Sequence, residues 1–360
     1  MTDIHHERQR RLRAVLSAAG VDAAIVPPSG DLVYLTGIDL HLSERLTLLV
    51  VPAEGAPTLV LPKFEADRIP PDLATSTWLE DDDPLPVLLA ALPAGARTLA
   101  FGERVAASNL LGVGEALPET RLLALERVTG GVRAVKDDVE LAALRGAAAA
   151  TDRAFATFLE SPLEGITEAE AAARLALSLR GEGLATPFAS CAAGANAASP
   201  HHASGTHVIA RGEGVLFDFG GRFEGYLSDV SRTVVIGEAS LRLREVHAAV
   251  ARAQAAGLAM LRAGVRLGDV DAAARSSLAR DGLAEAFTHR LGHGLGLEIH
   301  EPPYLTGGND ALAQAGHVVT VEPGVYLTGE LGVRIEDDVL VTDDAHEVLT
   351  KAPRDLLVVP

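Results

Sequence analysis

The pattern of residues 214–237 predicts a β-hairpin that brings two carboxylates together, and this constrains the fold more than any other stretch. Two runs rich in Val, Leu, Ile, Phe and Tyr flank the Gly-rich segment FGGRFEG, which is typical of two strands joined by a turn. If the turn is centred between Phe223 and Glu224, Asp218 and Asp229 lie directly opposite each other. The Cβ atoms of such a pair are about 4.5–5.5 Å apart, and like charges there are destabilising. The hairpin therefore predicts a positive group between the carboxylates, and two metal ions about 3.5–4 Å apart would satisfy it.

A second predicted hairpin repeats this arrangement at residues 318–342, in VVTVEPGVYLTGELGVRIEDDVLVT. Glu322 and Glu336 are symmetric about Gly329, which lies in the predicted turn Leu327–Leu331. For either hairpin alone, two ordinary strands whose outward faces carry acids would be the simpler interpretation. Two such hairpins with a His-rich segment between them favour a metal site.

The segment between the hairpins contains His289, His293 and His300, with glycines at positions 292, 294 and 296. Any single histidine is more often a hydrogen-bonded structural residue, but one of the three could complete a metal shell through its neutral imidazole. Four carboxylates and one imidazole balance the charge of two divalent cations. Because this shell is rich in oxygen and lacks sulfur, it suits manganese or cobalt better than structural zinc. The constellation predicts metal-assisted hydrolysis and leaves the bond that is cleaved open.

Composition narrows the remaining classes. The net charge of −18 argues against nucleic acid or an anionic membrane surface as a partner. Cys191 is the only cysteine, which excludes an intrachain disulfide and a thiolate metal cluster. The polar N-terminus lacks an apolar signal region, and the apolar runs at 46–51 and 57–62 are too short to cross a bilayer. These features predict a soluble, cytoplasmic protein.

The length of 360 residues suggests two domains. The first is predicted to be a small α/β domain, with helices at 6–19 and 84–92 and strands at 22–28, 32–37, 46–52, 57–62 and 97–102. The TGG sequence at 129–131, followed by a long Ala-rich helix that opens at 136–140, predicts a boundary near residue 130. The expected domains are therefore residues 1–130 and 131–360.

Four motifs resemble a known family. In order, DFGGRFEGYLSDVSRT, HRLGHGLGLEIHE, TVEPGVY and GVRIEDD are similar to the motifs of the proline-specific pita-bread metallopeptidases (M24B), the prolidases and aminopeptidases P. The resemblance is specific from about residue 200 onward, and the size is that of the short bacterial members. It implies a creatinase-like α/β N-terminal domain, 1–130, and an α+β pita-bread catalytic domain, 131–360.

The resemblance also implies roles for individual residues. Asp218 would bind one metal, Asp229 and Glu336 would bridge the two, and His293 and Glu322 would complete the other shell. His201 would lie beside the substrate, and His300 would stabilise the tetrahedral intermediate. His289 and Arg334 would orient the substrate or the ligands, and Glu322 would shuttle a proton from the bridging water. The cofactor would be two divalent ions, manganese first, with cobalt or zinc as alternatives.

The implied reaction is attack by a metal-bridging hydroxide on the carbonyl that precedes proline, and two activities remain open. A dipeptidase must bind the free carboxylate of its substrate, for which arginine is the natural partner. In prolidases an arginine lies a few residues after the second motif histidine, whereas this chain has Tyr304 there and no cation in EPPYLTGGND. We therefore expect a Xaa-Pro aminopeptidase, with Xaa-Pro dipeptidase as the alternative. The expected partners are peptides with proline in second position and a second copy of the chain in a homodimer, with Asp39 or Glu44 as candidates for binding the substrate's amino group.

Other classes with this fold are less consistent with the sequence. Pita-bread proteins that only bind histones or RNA should lack several metal ligands, and creatinases hydrolyse without metal, yet all five predicted ligands are present here. Methionine aminopeptidases usually lack so large an N-terminal domain.

Overall fold

The computed structural model describes residues 1–129 and 131–359. The chain forms two compact units, Met1–Arg133 and Ala134–Pro360. Within the described residues, no helix is both long and apolar enough to span a membrane.

The first unit is a six-stranded mixed sheet with helices. Its helices are α1 (Asp3–Ala18), α2 (Gly30–Thr36), α3 (Leu85–Ala91), α4 (Ala107–Ala116) and α5 (Glu126–Thr129). Its strands are β1 (Ala23–Val26), β2 (Leu48–Pro52), β3 (Thr58–Pro62), β4 (Ala74–Trp78), β5 (Thr98–Phe101) and β6 (Arg121–Ala124). The order is β4-β3-β2-β1-β5-β6, with β2 antiparallel to both β1 and β3 and the other pairs parallel. The predicted α/β character of this unit is confirmed.

The strand predicted at 32–37 is wrong, because these residues lie largely in α2. Pro27 and Pro28 end β1, and Gly37 ends the helix in the left-handed conformation with φ 74°. Leu32 and Leu35, one helical turn apart, are both buried. Tertiary burial has therefore overridden the β-branched and aromatic composition of this stretch.

Over its described residues, the second unit contains four long helices and three sheets. The helices are α6 (Asp138–Phe158), α7 (Glu168–Gly181), α8 (Leu241–Met260) and α9 (Leu267–Arg280). The strands are β7 (Ala185–Ala193), β8 (Gly214–Phe223), β9 (Tyr226–Ile236), β10 (Gly292–Gly294), β11 (Glu301–Leu305), β12 (Val318–Val321), β13 (Gly324–Leu327), β14 (Leu331–Arg334), β15 (Asp337–Val341), β16 (His346–Val348) and β17 (Leu357–Val359). They form sheets in the orders β17-β9-β8-β7, β11-β10-β12-β15-β16 and β13-β14.

Two large hydrophobic cores and one small cluster lie among the described residues of the second unit. In one large core, α6 and α7 pack on the β7–β9 sheet, where the rings of Phe155 and Phe219 stack with centroids 4.5 Å apart. In the other large core, α8 and α9 pack against β12–β15 through side chains such as Val250, Leu278 and Val339. Each half thus supplies a helix pair behind a hairpin.

The register of the first hairpin differs from the prediction. Asp218 pairs with Ser231, and Asp229 pairs with Gly220, so the two aspartates are not directly opposite each other. The cause is a two-residue turn at Glu224–Gly225, where both residues have positive φ, 49° and 89°. This moves the register by two residues. Because side chains alternate with a period of two, both aspartates still lie on the same face of the sheet.

The register of the second hairpin is confirmed. Leu327 pairs with Leu331 around Gly329, which has φ 79°, and Val321 pairs with Asp337, so Glu322 and Glu336 occupy matching positions. At these two residues the strands exchange partners. The N–H of Glu322 bonds to the carbonyl of Leu291 (2.8 Å), and the N–H of Glu336 bonds to that of Ser231 in β9 (3.1 Å). The second bond joins the two hairpins and brings their carboxylates together.

Candidate metal centre

A cavity of about 900 Å³ lies in the second unit, and all the metal ligands and catalytic residues predicted from the sequence line it, whereas the substrate-binding candidates Asp39 and Glu44 do not. The predicted residues that line it are His201, Asp218, Asp229, His289, His293, His300, Glu322, Arg334 and Glu336. They come from β8, β9, β10, β14 and the loops beside these strands. The fold has therefore brought together residues that are up to 135 positions apart in the sequence, since 336 − 201 = 135.

Three acceptor atoms face one another at the buried end of the cavity, and the described residues place no donor between them, although Glu322 Oε1 also accepts a hydrogen bond from the Thr320 hydroxyl (3.2 Å) at its side. His293 Nε2 lies 3.4 Å from Glu322 Oε1 and 3.6 Å from Asp229 Oδ2. Its Nδ1 lies 3.1 Å from the carbonyl oxygen of Gly294, which assigns the proton to Nδ1 and leaves Nε2 as an acceptor. Burial, reinforced by His300, lowers the pKa of His293 to about 3, so the ring is neutral. Facing acceptors at this spacing fit a cation, because two ligands of one ion at about 2.1 Å lie about 3–3.5 Å apart.

A second geometric grouping gives the same result. One ligand atom from each of Asp229, His293 and Glu336 lies within 4.8 Å of the other two, and all three residues are buried. Burial and the carboxylate of Glu336 raise the pKa of both Asp229 and Glu322 well above the usual range. Burial and Asp218 raise the pKa of Glu336 to about 7. Several buried carboxylates close together destabilise the folded protein unless positive charge neutralises them. This set of ligand atoms therefore fits a divalent metal.

Glu336 is fixed from several directions. Its Oε2 accepts a 2.6 Å hydrogen bond from the Ser231 hydroxyl. Its carbonyl oxygen accepts a hydrogen bond from the buried Arg232 guanidinium, which also pairs with Asp337 at 2.6 Å. The Ser231 bond therefore resists rotation of the carboxylate, and the Arg232 bond fixes the backbone that carries it.

Arg334 links Asp218 to the rest of the site. Its Nη2 donates to Asp218 Oδ2 (2.7 Å), its Nε to the Ser231 hydroxyl (2.7 Å) and its Nη1 to the Tyr326 hydroxyl (2.9 Å). The Tyr326 hydroxyl in turn lies 2.9 Å from His289 Nε2. His289 Nδ1 lies 2.8 Å from the Arg290 carbonyl oxygen, so Nδ1 carries the proton and Nε2 accepts from Tyr326. Burial lowers the pKa of His289 to about 4, which keeps this chain of hydrogen bonds in one protonation state.

The other two predicted histidines lie at the open side of the cavity. His300 is exposed, and its ring stands perpendicular to that of His293 with centroids 4.2 Å apart. Burial of part of the ring, with the charge of Arg290, lowers the pKa of His300. His201 is also exposed. Their roles toward a substrate stay predictions.

Sequence reasoning missed several residues that organise this site. Ser231, Tyr326 and Thr320 hydrogen-bond to predicted site residues, and Arg222 and Arg290 line the cavity. Ser231 could have been predicted, because it lies two residues after Asp229 and therefore on the same face of a predicted strand. Arg290 carried none, since its approach to the cavity depends on how the loop before β10 folds.

Asp39 and Glu44 belong to the first unit. Asp39 is exposed, and the Glu44 carboxylate accepts a 2.6 Å hydrogen bond from Arg45. A role for either residue in binding a substrate's amino group stays a prediction.

Comparison with known proteins identifies the family. The model of metallopeptidase family M24 matches residues 142–343, and that of the creatinase/prolidase N-terminal domain matches residues 8–135. The chain belongs to metallopeptidase family M24. The expected fold, a creatinase-like N-terminal domain followed by a pita-bread catalytic domain, is confirmed.

Solved structures of the family cover this M24 protein along its whole length. It is similar to a prolidase from Thermococcus sibiricus, at 33% identity over 100% of both chains with a TM-score of 0.95. It is similar to the dipeptidase PepE from Mycobacterium ulcerans, at 37% identity over 99% of this chain and 98% of that chain with a TM-score of 0.92. It is also similar to an X-Pro aminopeptidase from Thermotoga maritima, at 31% identity over 98% and 99% with a TM-score of 0.86.

Proposed function

We propose that this metallopeptidase is a Xaa-Pro dipeptidase that uses two divalent metal ions. The observation that carries the choice of dipeptides is Arg290, a cation beside the predicted metal ligands that is free to receive a substrate carboxylate. Relatives named prolidase and dipeptidase, at 33% and 37% identity over nearly full length, support the same choice. The aminopeptidase expectation rested on the lack of an arginine after His300, and Arg290 removes that reason.

The arginines that line the cavity differ in what their guanidinium groups already bind. Arg334 donates to Asp218, Ser231 and Tyr326. Arg222 donates to the carbonyl oxygens of Gly225 (2.6 Å) and Leu297 (2.7 Å).

Arg290 is different. Its guanidinium carbon lies 4.4 Å from the centroid of the Tyr304 ring, and among the described residues no carboxylate forms an ion pair with it. Tyr304, in β11, thus lies in the stretch after His300 where the prolidase resemblance implied an arginine, and it instead supports an arginine from the loop before β10. A guanidinium resting on an aromatic face keeps its N–H groups available for two-point binding of a carboxylate.

The remaining roles follow from the site geometry. Asp218, Asp229, His293, Glu322 and Glu336 would hold two divalent ions, which would supply an activated water nucleophile and polarise the carbonyl that precedes proline. Glu322, whose Oε1 accepts a hydrogen bond from Thr320 (3.2 Å), would take a proton from the attacking water and return it to the proline nitrogen as the C–N bond breaks. His300 and His201 donate to the oxygen of the tetrahedral intermediate. Arg290 holds the substrate carboxylate and so fixes the scissile bond over the ligands.

The native metal and the assembly belong to this proposal as well. The oxygen-rich donor set supports manganese, with cobalt or zinc as alternatives. The solved relative from Thermotoga maritima is named an X-Pro aminopeptidase, and that activity is the second candidate. A homodimer remains an expectation.

The test compares three substrates after metal has been stripped and manganese restored. They are a Xaa-Pro dipeptide, its C-terminal amide and a Xaa-Pro-Yaa tripeptide with the same first residue. A dipeptidase should cleave the free dipeptide with a kcat/KM at least about tenfold above that for the other two, because one charge-assisted contact is worth about 1.5–3 kcal/mol. Preference for the tripeptide would make the protein an aminopeptidase. Cleavage of none of them by the metal-loaded protein would overturn proline specificity altogether.

A further inference from the structure

The loop between β7 and β8, residues 194–213, brings Pro200 and His201 to the wall of the cavity. His201 is exposed, and within the described part of the chain no hydrogen bond holds its imidazole. The position of this ring therefore depends on what orders the loop that carries it.

The loop is ordered by one buried carboxylate. Glu168, the first residue of α7, has a side chain with 0% exposure. Its Oε1 accepts hydrogen bonds from the N–H of Ala193 (2.8 Å) and from Asn196 Nδ2 (3.0 Å), which precede His201. Its Oε2 accepts from His202 Nε2 (2.8 Å) and from the N–H of Gly205 (3.1 Å), which follow it. A carboxylate has about four acceptor sites, so these donors fill them.

The backbone of α7 adds to this attachment. The N–H of Glu168 bonds to the carbonyl of His207, and that of Ala169 to the carbonyl of Gly205, each at 3.0 Å. Burial acts to raise the pKa of Glu168, but the hydrogen bonds from the loop outweigh it and lower the pKa below its ordinary value. A buried charge is tolerated only in this fully bonded state, so the loop cannot move without a large cost.

We propose that Glu168 is a positioning residue for His201: its carboxylate fixes both sides of the loop and so holds the His201 imidazole at the cavity. The proposal rests on the proposed peptidase function, in which His201 donates to the tetrahedral intermediate. Glu168 itself does not line the cavity and touches no substrate in this account.

A double-mutant cycle tests whether the effects of Glu168 and His201 on kcat are coupled. Glu168→Gln keeps the shape of the side chain but places an N–H₂ group against two of the four donors. A displacement of about 1 Å at a reacting group costs about 10²-fold in rate, so kcat should fall by about that factor while metal content is unchanged. In a His201→Ala background the same substitution should cost less than about twofold, because the group it positions is already gone. Independent, additive losses would overturn the proposal.

Two substitutions of His202 test the proposal even if the Glu168 variant does not fold. His202→Ala removes one donor to Glu168, whereas His202→Gln keeps an N–H donor at the end of the side chain. The first should lower kcat and the second should restore most of it. The matched control is His207→Ala, since His207 lies on the same loop but pairs with Glu213 (3.0 Å) and is absent from the cavity wall. Equal losses in the glutamine and alanine variants would contradict the proposal.

Loop order can be read without any activity. If the wild type cleaved no Xaa-Pro peptide, the proposed function would fail, yet the loop could still be tested by amide hydrogen exchange at Ala193 and Gly205. Glu168→Gln should speed exchange at both amides by about tenfold or more. The reason is that the free energy of local opening falls when the hydrogen bonds of the Glu168 carboxylate to the loop are lost. Unchanged exchange rates would refute the positioning role whatever the enzyme's substrate.

Discussion

Arg334 Nη2 donates a 2.7 Å hydrogen bond to Asp218 Oδ2, although the two residues are 116 positions apart. Arg334 is buried, and its other donors bond to Ser231 and Tyr326. This contact ties β8 to β14 across the two hairpins that carry the predicted metal ligands. One guanidinium thus sets the direction of Asp218 and, through Tyr326, that of His289.

Replacing Arg334 by Met should weaken both stability and metal binding. Breaking a fully buried ion pair costs about 3–5 kcal/mol. Because the Asp218 side chain is 33% exposed, the loss in unfolding free energy should be smaller than that. Urea denaturation of the metal-free protein and calorimetric titration with manganese measure the two effects. The control is Arg145→Met, which removes an exposed pair with Glu347 and should change stability by about 0–1 kcal/mol. Equal effects in the two variants would contradict the role given to Arg334.

Glu336→Ala should lose bound metal and activity together. Glu336 shares a buried cluster with Asp229 and His293, and its removal deletes a predicted bridging ligand. Elemental analysis after dialysis against manganese should show less than the wild-type metal content, and peptide hydrolysis should fall by several orders of magnitude. Glu330→Ala, in the exposed turn between β13 and β14, is the control. Retention of full metal content and activity by Glu336→Ala would remove it from the ligand set.

Arg290→Met should raise KM for a free Xaa-Pro dipeptide by about 10–100-fold, the equivalent of one charge-assisted contact. The kcat/KM for the corresponding dipeptide amide should change little, because the amide has no carboxylate to bind. The substitution keeps an apolar side chain against Tyr304, so a loss of loop packing should be small. An equal fall for the free and the amidated dipeptide would show that Arg290 acts on something other than the substrate carboxylate.

The turn of the first hairpin makes a prediction about stability alone. Glu224 and Gly225 both have positive φ, and Asn-Gly is the pair preferred in such turns. Glu224→Asn should therefore stabilise the protein by a few tenths to about 1 kcal/mol, and Gly225→Ala should destabilise it by about 1 kcal/mol or more. Thermal unfolding of the metal-free protein checks both. Opposite signs would mean that the turn differs from the one described.

His247 should contribute to loss of stability in acid. Burial is the main cause that lowers its pKa from 6.5 to about 4, with Asp355 raising and Arg232 lowering it further. Between these values the unfolded chain binds a proton that the folded chain does not, so stability falls as pH drops from about 6.5 to about 4 and is unaffected above that window.

The test of this prediction is His247→Leu. The lowering of the pKa of His247 from 6.5 to about 4 corresponds to up to about 3 kcal/mol of unfolding free energy, and the variant should not lose this stability in acid. Denaturation at pH 7.5, 5.5 and 4.5 measures it, and the exposed His41→Leu is the control. Parallel pH profiles for wild type and His247→Leu would exclude this histidine as a source. Other buried histidines with a lowered pKa, such as His317, should cause part of the dependence of stability on pH in both proteins.

The sequence by itself determined the composition of the site. Two apolar runs around a Gly-rich turn predict each hairpin, and alternation along a strand fixes the face on which a carboxylate lies. For this reason Asp218 and Asp229 share a face even though the predicted register was wrong by two residues. The symmetric register of Glu322 and Glu336 was correct because Gly329 marks the centre of the turn.

Tertiary structure alone decided what local pattern could not encode. The stretch at 32–37 became helix because burial of Leu32 and Leu35 outweighed strand propensity. Arg334 bonds to Asp218, which is distant in the sequence. Glu168 bonds to the loop that carries His201, and the shape of a loop is not set by a repeating pattern. No periodicity in the sequence therefore predicts either bond. The approach of Arg290 to the cavity likewise depends on its stacking against Tyr304, 14 positions away since 304 − 290 = 14. Short-range pattern sets which groups are present, whereas packing sets which of them bond to one another.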